Sequence, residues 1–223
     1  MSRVLPFAAF MACIGVEELL RFIAGRGWVA LPPDIFLYTY PVRIFLVVGL
    51  LIYYRKQYAE LKWADLRNVP TLLLALLSGI LVFFVWIGLS DFVFSGASKA
   101  PGYNPLQLPS AVQLPLVIVR IIGASFVVPI MEELFWRSFL IRYLVDADFE
   151  RVPLGTYTLS SFLITVVLFG FEHHLILAGI AAGLVYNLLL YRTKSLALCV
   201  VSHSITNIIL ASYVIYYMRW DLW

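Results

Sequence analysis

Charge is scarce in this chain: Lys, Arg, Asp and Glu make up 13% of its 223 residues, about half the share found in a water-soluble domain. That shortage excludes an ordinary soluble globule. The net charge of +3 comes from Lys and Arg placed at the ends of apolar runs, where they anchor a membrane protein at its interfaces, so no nucleic-acid partner is expected. Cysteine is nearly absent. Cys13 and Cys199 both lie within apolar runs without ligand spacing around them, which excludes a disulfide framework and predicts two buried free thiols. There is no phosphate-cradling glycine loop and no HExxH metal motif. No small-residue cleavage pattern follows the apolar start, and Glu17, Glu18 and Arg21 interrupt its end; residues 1–24 are read as a retained helix rather than a signal peptide.

What is present is hydrophobic length: 62% of residues are hydrophobic and the mean hydropathy is +0.92. A bilayer helix needs about 20 apolar residues, and seven candidate segments emerge, at 5–24, 35–54, 70–94, 114 to about 145, 159 to about 174, 175–191 and 196–217. The expected fold is all-α, a polytopic transmembrane bundle of about seven to eight helices with its site inside, forming a single membrane domain over 1–223. Loops are expected at 25–33, 55–68, the Pro/Gly/Ser-rich 95–110, 146–151 and 192–194. Arg55, Lys56, Lys62 and Arg67 mark one loop as cytoplasmic, and alternation places Arg142, Arg151, Arg192 and Lys194 on the same face. The amino terminus is then inside and the carboxyl terminus outside. The fourth segment exceeds one crossing, and Pro129 predicts a bend or re-satisfied backbone just before the paired glutamates. A serpentine path would leave His173 near the outer end of its helix and His203 near the inner end. For the two to share a site, the fifth and sixth segments must form a short hairpin whose turn, around residues 174–178, ends inside the bundle.

Three segments place costly polar groups inside this greasy background: Glu132-Glu133-Leu134-Phe135-Trp136-Arg137, Phe169-Gly170-Phe171-Glu172-His173, and His203-Ser204-Ile205-Thr206-Asn207. Adjacent helical residues point about 100° apart, so Glu132 and Glu133 face different partners. Glu133 and Arg137 stand four apart in the acid-first order that favours an ion pair, which leaves Glu132 free to face a cavity. Phe169 with His173, and His203 with Asn207, are each one turn apart and share a face. Taken singly, each His or Asn suits an interhelical hydrogen bond, and the acidic pair suits a salt-bridged helix end.

Together and in this order, the EExxxR, FxxxH and HxxxN patterns resemble those of the CAAX-protease and bacteriocin-processing family of intramembrane glutamic endopeptidases, which includes the Ras-converting CAAX endopeptidases. The resemblance covers roughly residues 112–212. Two departures are Ser138, where many members have Gly, and His174, which duplicates the histidine of the second motif. The resemblance implies a membrane endopeptidase in which Glu132 is the general base, His173 orients the attacking water, and His203 and Asn207 stabilise the oxyanion. Glu133 and Arg137 would support Glu132, Phe169 would support His173, and His174 is a possible substitute for His173. It further implies a protein or peptide substrate, lipidated or not, and a bacterial inner membrane; it fixes no oligomeric state. No cofactor or metal is expected. Zinc on Glu132, His173, His174 and His203 is the rival mechanism, against which stands the absence of HExxH spacing.

Other intramembrane charges need their own account. Glu17-Glu18-Leu19-Leu20-Arg21 imitates the first motif with its Arg one position early, and reads as an anchor or supporting ion pair. Arg43 and Arg120 lie within apolar spans and are expected to form structural ion pairs, or else to line a substrate path. Trp28, Trp63, Trp136, Trp220 and Trp223 suit interfacial belts. A transporter or channel would also line its interior with such groups, but no internal repeat or paired broken helices is present. A non-catalytic scaffold or immunity factor would share the fold, whereas the complete motif set favours the enzyme.

Overall fold

Apolar runs with few breakers become seven helices among the described residues, 1–93 and 102–223, of the computed structural model. They are α1 (Leu5–Gly25), α2 (Phe36–Tyr54), α3 (Val69–Val93), α4 (Ser110–Tyr143), α5 (Leu159–Phe171), α6 (Ile176–Thr193) and α7 (Leu196–Tyr217). No strand occurs among the described residues. The first part of the expected Pro/Gly/Ser-rich loop, at 95–101, and the last residue of the third expected span, Phe94, lie outside the described residues. Five helical stretches, Phe36–Gln57, Val69–Phe92, Ser110–Tyr143, Ile176–Thr193 and Leu196–Tyr217, are long and apolar enough to cross a bilayer. The protein is an integral membrane protein. The other two helices depart from full spans for visible reasons: α1 carries Glu17, Glu18 and Arg21 toward its end, and α5 has only 13 residues.

One end of the bundle gathers the segments that the basic-loop pattern groups together. Arg3 bonds both Glu60 (2.6 Å) and Glu150 (3.0 Å), tying the chain start to the α2–α3 and α4–α5 loops. Ser195, in the α6–α7 turn, donates to Asp65 at 2.6 Å, and Lys194 donates to the carbonyl of Gly155. Burial opposes ionisation of Glu60, but hydrogen bonds from Arg3 and Ser138 outweigh it and hold the carboxyl below the usual carboxylate range. The ionised form therefore stabilises the fold at neutral pH, and that contribution fades as pH falls through the depressed value.

The length of α5 resolves the depth conflict. At about 1.5 Å per residue it covers about 20 Å, short of a hydrocarbon core of about 30 Å, so its far end stops within the bundle. The turn spans residues 172–175, slightly earlier than the expected 174–178, because α6 already begins at Ile176. Glycine permits this tight hairpin. A Cβ on Gly179 would lie 2.9 Å from the Cα of Gly170 and 3.1 Å from Nδ1 of His173, so any side chain there must push α6 away from α5. Gly179→Val is expected to destabilise the fold by about 1–3 kcal/mol, measured by denaturant titration in micelles; unchanged stability would refute the close approach. Between α3 and α7, Gly79 does the same job: a Cβ there would lie 2.3 Å from the carbonyl oxygen of Ser202, next to His203.

Two expectations about single residues change. Cys199 is buried, but Cys13 is only partly so, since α1 sits at the rim of the bundle. Trp28 and Trp63 are exposed as belt residues would be, whereas Trp136 is 5% exposed in the core. There it donates its indole N–H to Glu172 at 2.9 Å. A buried indole needs such an acceptor.

Candidate active site

The fourth segment does not simply bend at its proline. α4 runs on through two π-helical stretches, Gly123–Val127 and Leu134–Leu140, on either side of Val128–Glu133. In the first, the amide of Val128 bonds the carbonyl of Gly123, five residues back. The next donor in that register, onto Ala124, would come from residue 129, which as proline has no N–H. The vacant carbonyl of Ala124 is taken by Nδ2 of Asn207, at 2.7 Å. A backbone acceptor in a membrane must find a donor, and here it fixes an amide side chain of the third motif. Asn207 keeps its second N–H.

Glu133 and Glu132 divide as their angular separation requires. Glu133 is fully buried, and its Oε1 accepts from Arg137 Nη1 (3.1 Å) and lies 3.0 Å from Nδ1 of His203. Arg137 also donates to Asn187 Oδ1 (3.2 Å) and lies over the Phe169 ring at 4.4 Å. Glu132 takes no part in that pairing. Its Oε2 is buried without a hydrogen-bond partner, 3.9 Å from Nε2 of His203 and beyond hydrogen-bond reach.

Both histidines are held by the nitrogen facing away from their role in the motif pattern. His173 Nδ1 lies 2.7 Å from the carbonyl oxygen of Phe169; a carbonyl only accepts, so Nδ1 carries the proton and Nε2 keeps its lone pair. In the same way, His203 Nδ1 donates to the Glu133 carboxylate. The His203 ring stacks on Tyr186 (centroids 5.0 Å apart), whose hydroxyl bonds Thr206 at 2.8 Å. Trp86 meets His173 edge-on at 5.3 Å.

Glu132, His173, His203 and Asn207 all line one cavity of about 540 Å³, together with Phe169. His174 lines it too but is exposed, and its ring lacks the helix-carbonyl anchor of His173. Glu133 and Arg137 stand behind the wall. Sequence reasoning missed Tyr186, Asn187 and Thr206, which brace His203 and Arg137, and also Trp86 and Glu172. Asn187, an amide within the apolar run 175–191, was the available signal. Among the described residues, no three His, Cys, Asp or Glu side chains form a metal-binding group. The Glu17–Arg21 ion pair forms at 2.6 Å as expected. Arg43 and Arg120 do not: neither has an ion pair among the described residues, and each instead lies over aromatic rings, Arg43 over Phe10 (4.6 Å) and Arg120 over Tyr40 (4.2 Å).

These features define a polytopic helical membrane protein with a polar cavity within its bundle. Residues 114–209, a little under half of the chain, match the family model of the type II CAAX prenyl endopeptidase Rce1-like proteins, in agreement with the resemblance carried by the three motifs. At family level that match supports a CAAX-protease-like membrane endopeptidase. Comparison with curated proteins and with solved structures returns no match.

Proposed function

We propose that the protein hydrolyses a peptide bond in or near the membrane with a water activated by Glu132. The observation that carries this reading is the division of the paired glutamates: Glu133 is committed to Arg137 and His203, while Glu132 keeps a buried, partnerless oxygen on the cavity that His173, His203 and Asn207 also line. In the proposed reaction, Glu132 takes a proton from water as the water oxygen bonds the scissile carbonyl carbon. The lone pair on Nε2 of His173 accepts the other water hydrogen and orients the attack. The remaining N–H of Asn207 donates to the oxyanion, and His203 adds a second donor at Nε2 when it is an imidazolium paired with Glu133. Glu132 then returns its proton to the leaving nitrogen as the C–N bond breaks. The basic end of the bundle faces the cytoplasm.

Comparing the membrane proteomes of cells carrying wild type and Glu132→Ala identifies the substrate as a protein whose length changes. Purified, metal-analysed protein in liposomes should then cleave that substrate at an undiminished rate in chelator. Stoichiometric zinc, with activity lost on its removal and restored on its return, would replace the glutamate mechanism by a metal one.

A further inference from the structure

A second cavity of about 560 Å³ adjoins the first and shares Glu17, Glu18, Arg43, Arg120 and Trp223 with it. Its two arginines come from different helices, α2 and α4, and both guanidinium groups lie over the ring of Tyr40, at 5.2 and 4.2 Å. Neither has a carboxylate within ion-pair distance among the described residues, and residues 94–101 contain no Asp or Glu. The nearby acids are already engaged: Glu17 accepts from Arg21 through Oε1 (2.6 Å) and from Thr39 through Oε2 (2.5 Å), and Glu18 lies 3.9 Å from the same Arg21. The Nε atoms of Arg43 and Arg120 are buried without hydrogen-bond partners. Buried donors are ordinarily satisfied, and like charges brought together inside a membrane are costly. Two arginines lining one space, with no carboxylate to answer either among the described residues, describe a receptor for an oxyanion.

We propose that Arg43 and Arg120 form a subsite for a carboxylate of the peptide substrate. This rests on the reading of the adjoining cavity as a peptide-cleaving site. The fork of each guanidinium suits a planar oxyanion. Arg120 and Glu132 share α4 and stand 12 residues apart, about 18 Å along the axis at about 1.5 Å per residue, a length spanned by about five extended residues at about 3.3 Å each. The walls favour a peptide over a phospholipid, because Thr39, Tyr40, Tyr103 and Gln107 offer hydroxyl and amide groups rather than a bed for acyl chains. The carboxylate is either a chain terminus or an Asp or Glu side chain near the scissile bond.

The test uses full-length Glu132→Gln protein in phosphatidylcholine nanodiscs, so binding is read without turnover. Three fluorescein-labelled peptides share one apolar sequence: one ends in a free acid, one ends in a carboxamide, and one ends in a carboxamide but carries an internal Asp. At least one acid should bind about tenfold tighter than the neutral amide by fluorescence anisotropy, and which one does identifies the source. The preference should fall to about one with Arg43→Gln or Arg120→Gln and survive in part with Arg120→Lys. Equal binding of all three peptides, including none, overturns the proposal without needing any variant. So does an acid preference retained in both Gln variants. In matched nanodiscs containing phosphatidylglycerol, arginine-dependent lipid retention combined with equal peptide binding would assign the site to a lipid phosphate instead. Acid preference in a protein whose wild type cleaves nothing would sink the protease reading alone.

Discussion

Glu132→Gln is expected to lower kcat for peptide cleavage by about 10²–10⁴-fold, the usual contribution of a positioned general base, while leaving the bundle as stable as the wild type. The stability half of this expectation follows from geometry. Glu132 Oε2 has no hydrogen-bond partner and stands 3.9 Å from His203, so replacing a carboxylate oxygen with an amide breaks no hydrogen bond and retains the shape. Glu133→Gln, by contrast, removes the charge that both Arg137 and His203 address. Initial rates and thermal unfolding measured on the same purified samples separate the two. Cleavage by Glu132→Gln at the wild-type rate would remove Glu132 from the chemistry.

The second large effect is on folding. Arg137 is 1% exposed and meets Glu133, Asn187 and the carbonyl of Gly183, so it joins α4 to α6 in the middle of the bundle. Arg137→Leu strands the Glu133 carboxylate with only His203 to answer it, and breaking one side of a buried pair costs about 3–5 kcal/mol. The loss should be smaller in Glu133→Leu/Arg137→Leu, because no unpaired charge then stays buried. Denaturant titration of the single and double variants in micelles measures this difference. Equal losses would mean that Arg137 acts through packing rather than through charge.

Much of this architecture could be read along the chain because a bilayer forces simple rules on sequence. Helix positions follow from apolar length, and the inward direction of Glu132, His173 and Asn207 follows from the cost of polar groups in hydrocarbon. The Glu133–Arg137 pair was legible from a spacing of four. What could not be read depended on distant partners. Nothing near Trp136 marks it as the donor to Glu172 rather than a belt residue, and nothing near Arg120 reveals that Tyr40 and Tyr103 meet it in place of a carboxylate. The two π-helical stretches were also hidden, because their register is settled by neighbours packed against α4 and not by local propensity. Pro129 announced an irregularity without specifying its kind.

That irregularity ties two distant positions into one heritable unit. Pro129 withholds the hydrogen that the carbonyl of Ala124 needs, and Asn207, 78 positions later in the chain, supplies it. Substituting either alone leaves a polar atom stranded in hydrocarbon or a helix that no longer has room for the amide. Drift at one therefore has to be answered at the other, and the pair should persist or vanish together as such chains diverge.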